Sequence, residues 1–273
     1  MSLKKLLQQS PSRDRLLITP RYEKYLAMTN NILIQDEKIL KFIRDELSTP
    51  QRNRRMTFSA SSRGACPRAQ VFQFTSVNPL PRINSDLHAI FHQGTFMHMK
   101  WQCLLLDAGI LEAVEIPCQW DAYNLSGTID GATSAPYGHS LYDEVGYDNI
   151  GWELKSINDR GFKYICSNGP KTEHLLQIHA YMKATGWKIW SLVYENKNDQ
   201  QWKEFIVRYD PEIGEALEAE LMYLNDSVDN KTLPPVLKPC KDKKGPFNNC
   251  DFRHVCLDTY SWPQRVLKMR SAP

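Results

Sequence analysis

Asp130, Glu153 and Lys155 are the residues best placed by type and spacing to do chemistry in this chain of 273 residues. Glu153 and Lys155 are separated by a single residue in Asn149-Ile150-Gly151-Trp152-Glu153-Leu154-Lys155-Ser156, and Asp130 lies in Ser126-Gly127-Thr128-Ile129-Asp130-Gly131. Both runs are dense in apolar and β-branched residues and punctuated by glycine, which predicts short strands. Residues i and i+2 of a strand share a face, so Glu153 and Lys155 project together while Leu154 points away. If the Asp130 strand pairs beside them, two carboxylates and an ammonium converge. Such carboxylates suit Mg²⁺ or Mn²⁺, which prefer hard oxygen ligands. A lysine beside the metal can orient water and offset charge on a phosphate. The combination suits cleavage of phosphodiesters.

The elements that must hold these residues are legible in outline. Leu, Lys, Glu and Ile dominate the first fifty residues, and the spacing of Tyr25, Met28, Ile32, Ile39, Phe42 and Ile43 predicts helix. The run Gln51-Arg52-Asn53-Arg54-Arg55 is a basic connector, readable as a solvated loop or a phosphate contact. Pro67 marks a helix start. A long helix is expected over residues 85–109, with Ser85 as N-cap and Gly109 as its stop. Strands follow near 112–120, 124–133 and 150–156, with a loop or hairpin tip from Tyr137 to Asp148. A helix over 171–185 ends at Gly186. Strands near 188–195 and 202–209, a helix near 212–225 and a Pro- and Cys-containing tail complete the chain. This order predicts an α/β (α+β) fold, a mixed central sheet flanked by helices. The expected divisions are a helical region over 1–55, a core over 56–231 and a tail over 232–273.

Other pairs have both an ordinary and a chemical reading. Gly94 and His98 share a helical face, where the glycine would admit another backbone and the histidine could reach a metal. A histidine on a helix is more often packed or solvated. Gln177 and Tyr181 are also one turn apart and could bind phosphate or orient Lys155, or simply line a half-buried face. Asp-Gly is commonly a turn, and Glu-x-Lys is commonly a cross-strand ion pair. Trp101, Trp120, Trp152, Trp187, Trp190 and Trp202 could stack on bases, but most are expected in the core.

Lys and Arg number 34 against 31 Asp and Glu, a net charge of only +3, so any nucleic-acid surface must be local. No run of eighteen apolar residues exists, and the start at Met1 lacks the apolar stretch of a signal peptide. A cytoplasmic, reducing setting is therefore expected, which argues against a disulfide framework for the seven cysteines. Cys103, Cys118 and Cys166 lie in apolar or strand-like surroundings and are expected to be structural. Cys66, Cys240, Cys250 and Cys256 lie near Pro, Gly and Asn, where loops can wrap a ligand.

Taken together, Gly94 and His98, Gly127 and Asp130, Glu153 and Lys155, then Gln177 and Tyr181 fall on helix, strand, strand and helix. This series resembles the RecB-type branch of the PD-(D/E)xK nuclease superfamily over roughly residues 64–256. One cysteine ahead of the core and three behind it resemble the iron–sulfur nucleases of that branch, including the CRISPR-associated spacer-acquisition nucleases and the AddB nuclease domain. Cys250 and Cys256, with five residues between them, match the closing pair. Cys240 and Cys250, with nine residues between them, depart from the tighter family spacing, which makes His254 the alternative fourth ligand.

The resemblance implies that His98, Asp130, Glu153 and the Leu154 carbonyl bind Mg²⁺ or Mn²⁺, with Asp130, Glu153 and Lys155 catalytic. It implies that Gln177 and Tyr181 contact DNA or buttress Lys155. It implies a structural 4Fe-4S cluster on Cys66, Cys240, Cys250 and Cys256, with Zn²⁺ as the rival occupant. The implied activity is a metal-dependent DNA nuclease, an exonuclease on single strands or duplex ends. The alternatives are a structure- or site-specific endonuclease, as in spacer processing, and a catalytically silent DNA-binding or assembly module. No phosphate-loop motif is present, so any motor would be a separate partner, such as a helicase, alongside a recombinase or CRISPR adaptation protein.

Overall fold

The computed structural model describes residues 16–28, 34, 36–48, 56–80, 85–258 and 261–262. The basic run at 51–55 and the amino-terminal residues 1–9 lie outside them. The chain begins with α1 (Thr19–Met28) and α2 (Glu37–Ser48), then β1 (Phe58–Ser59), α3 (Pro67–Phe74) and the long α4 (Ser85–Asp107). Next come β2 (Ala113–Trp120), β3 (Leu125–Thr133), α5 (Ser140–Val145), β4 (Ile150–Ile157), α6 (Asp159–Asn168) and α7 (Thr172–Thr185). The chain continues through β5 (Ile189–Asn196), β6 (Trp202–Arg208), α8 (Pro211–Asp229), α9 (Lys238–Lys241) and α10 (Arg253–Cys256). The mixed sheet flanked by helices is as expected.

The six strands form one sheet in the order β1-β3-β4-β5-β6, with β2 beside β3. Pairing of β4 with β5 is parallel, while β2 with β3, β3 with β4, and β5 with β6 are antiparallel. Alternation along the strands divides the core between two helical layers. Ile150, Trp152 and Leu154 of β4 join Trp101, Leu104 and Leu105 of α4 and Tyr22 of α1. Trp190, Leu192 and Tyr194 of β5 join Leu175, Ile178 and Tyr181 of α7 and Leu217, Leu221 and Leu224 of α8. Leu105 and Leu154 are fully buried, each stabilising the fold by about 1.5–3 kcal/mol. Two buried carboxylates pin the first layer. Glu204 accepts the backbone N–H groups of Leu17, Ile18 and Thr19 at the start of α1. Glu195 accepts from Lys100 Nζ and Trp101 Nε1, both at 2.5 Å, which locks α4 to β5.

Several details differ from the sequence expectation. The segment expected as a loop between Tyr137 and Asp148 contains α5, capped by His139, whose Nδ1 accepts from Leu141 N at 3.1 Å. The helix expected from Ser85 includes Ser85 rather than starting after it, and it ends at Asp107, two residues before Gly109 with φ 60°. Cys103 and Cys118 are buried as expected, but Cys166 is exposed on α6, because that amphipathic helix buries Phe162 and Ile165 instead. Trp101, Trp152 and Trp190 are fully buried and the other three expected tryptophans are half-buried.

Candidate active site

The site is built in a gap of the sheet. One edge of β3 is paired with β2 from Leu125 to Ala132. The other edge is shared: β1 takes Leu125 and Ser126, and β4 takes Gly131, Ala132 and Thr133. Residues 127–130 on that second edge have no strand partner among the described residues. Side chains supply the missing hydrogen bonds. Asp130 Oδ2 accepts from the Leu154 N–H at 2.8 Å, and the Thr128 carbonyl accepts from the Tyr181 hydroxyl at 2.8 Å. The strands part where a carboxylate replaces a backbone acceptor, which holds Asp130 across the gap toward β4.

Alternation sends Glu153 and Lys155 toward α7, the side opposite Trp152 and Leu154. Lys155 Nζ donates to Glu153 Oε1 at 2.7 Å and to Gln177 Oε1 at 2.9 Å. Gln177 Nε2 donates to Glu153 Oε1 at 2.8 Å and approaches the Tyr181 oxygen at 3.1 Å. Gln177 and Tyr181 thus buttress Glu153 and Lys155, through an amide that can face both a carboxylate and an ammonium. Gly127 explains its own place in the series. A Cβ there would lie 2.8 Å from Tyr181 Cε1 and 3.1 Å from Ala60 Cβ, so the missing side chain makes room for the tyrosine.

From the other layer, α4 brings His98 Nδ1 to 3.4 Å from Asp130 Oδ2. One turn later, Gln102 Nε2 donates to the Asp130 carbonyl at 2.9 Å and to Glu115 Oε1 at 2.7 Å. Glu115 has φ 50°, an uncommon backbone for a non-glycine residue, and falls opposite Asp130 between the Val114–Gly131 and Ile116–Ile129 pairs. Sequence reading missed Gln102 and Glu115. The spacing of Gln102 four residues after His98 was available as a signal, but nothing local marks Glu115. Gly94 differs from expectation: among the described residues a Cβ there would meet only Ser156 Oγ at 3.8 Å, and no backbone approaches it closely.

The electrostatics follow from burial and neighbouring charge. Glu153 is 1% exposed. Burial first and the Asp130 charge second push its carboxyl up to about 7, against the pull of Lys155 and His98. Burial also opposes ionisation of Asp130, but His98, Lys155 and the Leu154 N–H outweigh it and hold that carboxyl below the usual range. Burial would lower both His98 and Lys155, yet Asp130 raises the first and Glu153 with Asp130 raises the second. The gap therefore holds one firmly ionised carboxylate beside one that retains its proton easily.

This donor set fits a hard divalent cation. Glu153 Oε2 is buried and meets no hydrogen-bond partner among the described residues, an arrangement that costs free energy until a proton or cation compensates it. As the side chains stand, no three His, Cys, Asp or Glu among the described residues are set to hold a metal ion. His98 is turned onto Asp130, and Glu153 Oε1 is engaged by Lys155.

Far from the carboxylates in sequence, Cys66, Cys240, Cys250 and Cys256 line one cavity of about 120 Å³ with Phe72 and Phe252. Cys66 caps α3, Cys240 lies in α9, and Cys256 closes α10. All four are free thiols, and burial raises Cys240 and Cys256 above the ordinary thiol range. The insertion between Cys240 and Cys250 loops outward through a 3₁₀ turn at Gly245–Asn249. His254 is exposed and does not line the cavity. Four thiols on the wall of an otherwise mostly apolar cavity fit an iron–sulfur cluster by chemistry.

No family model matches this chain, and no curated protein matches it. Among solved structures, an alkaline exonuclease (LHK-Exo) from Laribacter hongkongensis aligns at 14% identity and a TM-score of 0.43 over 65% of this chain and 90% of that one. The same exonuclease in complex with dAMP gives 14% identity and a TM-score of 0.45 over the same shares. A structure of SSO0001 gives 17% identity and a TM-score of 0.46 over 84% of this chain and 98% of that one. Similarity at this level assigns no residue role or activity to this chain.

Proposed function

We propose that this chain is a divalent-metal-dependent deoxyribonuclease of the RecB-type PD-(D/E)xK kind, acting as an exonuclease on single-stranded DNA or duplex ends. One observation carries the reading. Asp130 bridges the gap in the sheet beside a buried Glu153–Lys155–Gln177 relay, and Glu153 offers an unpartnered oxygen there. Asp130, Glu153, His98 and the Leu154 carbonyl would hold Mg²⁺ or Mn²⁺, which when bound supplies an activated water and Lewis-acid stabilisation of the phosphate. Lys155 offsets charge on the attacked phosphate and orients the water, and Gln177 with Tyr181 holds Lys155 and Glu153 in place. Contacts would fall on phosphates rather than base edges, which gives little sequence preference.

The four cysteines would hold a 4Fe-4S cluster that staples α3 to the tail. All four line one cavity of about 120 Å³, more space than a single Zn²⁺ would fill, which favours a cluster. The cavity is lined by Cys240, which favours it over His254 as fourth ligand. The proposed division is an amino-terminal region at 1–55, the nuclease core at 56–231 and the closing tail at 232–273. Among the described residues no helix is long and apolar enough to cross a membrane.

The test is anaerobic purification, an absorption spectrum with iron analysis, and cleavage of end-labelled linear and circular DNA with Mg²⁺ and Mn²⁺. The proposal expects brown protein that degrades linear DNA from its ends and spares circles. Cleavage of circles would instead indicate an endonuclease. Absence of cleavage with either metal rejects the nuclease reading, and stoichiometric zinc without iron rejects the cluster.

A further inference from the structure

His174 sits on α7 one turn before Gln177, on the face that meets Lys155. Its Nδ1 lies 2.7 Å from the hydroxyl of Tyr194, a fully buried residue of β5 paired in register with Lys155. The same hydroxyl accepts from the Lys171 N–H at 3.2 Å. Tyr194 has no other acceptor for its own proton among the described residues. Giving that proton to His174 Nδ1 satisfies the hydroxyl, an arrangement that makes Nδ1 an acceptor and leaves the ring hydrogen on Nε2. The tautomer follows from this chain of donors.

His174 is half-buried, and its Nε2 meets no protein partner among the described residues. The charged groups that act on the ring are Lys155 from β4 and Lys171 ahead of α7, and Tyr194 from β5 is its hydrogen-bond partner. Burial, then the charges of Lys155 and Lys171, depress the imidazole to about 3, so it stays neutral. The start of α7 disfavours a positive charge as well. An imidazole with its hydrogen on Nε2 cannot ligate a metal through that nitrogen, but it can donate a hydrogen bond.

We propose that His174 is a further substrate-binding residue, a neutral donor whose Nε2–H grips a non-bridging oxygen of a nucleic-acid phosphate beside Lys155. The inference rests on the nuclease reading above. It assigns Tyr194 as the positioning residue that selects the tautomer. The division of labour is physical. Lys155 contributes charge, while His174 contributes direction without a second cation that would repel the ammonium or compete with the metal.

Two measurements test it on the full-length protein. Long-range ¹H–¹⁵N spectra of ¹⁵N-histidine protein, with His174 assigned by the loss of its signals in His174→Gln, should show a neutral ring protonated at Nε2 from pH 6 to pH 8. Tyr194→Phe should mix the tautomers. In cleavage assays His174→Ala should lower kcat/KM by about 10- to 100-fold, the scale for losing a hydrogen bond to a charged group, with most of the change in KM. His174→Gln, which can present an N–H, should recover most of the loss, and His174→Phe should not. An Nδ1–H tautomer, an imidazolium in that range, His174→Ala cleaving within about twofold of wild type, or no rescue by glutamine would each overturn the proposal. A wild-type protein that cleaves nothing defeats the nuclease reading and this contact with it, and the tautomer is still read independently.

Discussion

Gly127→Ala should disturb the site without touching a reacting group. The new Cβ would stand 2.8 Å from Tyr181 Cε1, 3.2 Å from its hydroxyl and 3.1 Å from Ala60 Cβ. Tyr181 has little room to retreat, since it is buried and stacks on Trp190 at 5.8 Å. Overpacking of this kind costs about 1–3 kcal/mol. The displaced tyrosine also loses its bonds to the Thr128 carbonyl and Gln177, so Lys155 loses part of its support. Cleavage should fall by about 10-fold or more, equivalent to about 1.4 kcal/mol on the barrier. The assay is a double-mutant cycle with Tyr181→Leu, read by denaturant unfolding and by cleavage of end-labelled DNA. In the Tyr181→Leu background the ring is gone and only Ala60 remains close, so the added cost of Gly127→Ala should drop by at least about 1 kcal/mol. Equal costs in both backgrounds would show that Gly127 does not make room for Tyr181, and the joining of the two motifs would fall.

Glu153→Gln and Lys155→Ala should each lower cleavage by at least about 100-fold while the fold persists; near-normal rates from either purified variant would remove them from the chemistry. His98→Ala should weaken Mn²⁺ binding and cleavage more than His92→Ala, since His92 is exposed on the same helix; equal effects would leave His98 a packed histidine. Cys250→Ser and Cys256→Ser should lose iron, colour and stability together, whereas Cys103→Ser should keep its iron; full iron in Cys240→Ala with loss in His254→Ala would make His254 the ligand. In metal-free protein the Glu153 carboxyl, raised from 4.5 to about 7, binds its proton more tightly folded than unfolded. Its contribution is therefore full below pH 4.5 and lost as pH rises through 7, up to about 3 kcal/mol. Relative to Glu153→Gln, whose amide does not titrate, wild type should lose up to about 3 kcal/mol of stability over that window, and a wild type that gains stability on the variant as pH rises would contradict the burial of Glu153.

The sequence by itself determined what depends on local periodicity. Strand alternation put Glu153 and Lys155 on one face and Leu154 on the other, and helical spacing aligned His98 with its turn and Gln177 with Tyr181. Those relations hold wherever the element docks, because side-chain direction repeats every two or 3.6 residues. Short elements such as β1 and α5 escaped, since two to six residues carry too little pattern. Only the tertiary structure decided the gap on the edge of β3, because it arises from β1 and β4 sharing one strand edge, and no single segment records that. The same holds for Glu115 beside Gln102 and for Tyr194 against His174, contacts made across different elements. Cys66 meets Cys240 across most of the chain, through packing of Phe72 on Phe252 at 5.7 Å. The tautomer of His174 also belongs to the tertiary structure, because a buried hydroxyl with one available acceptor is satisfied by giving its proton there.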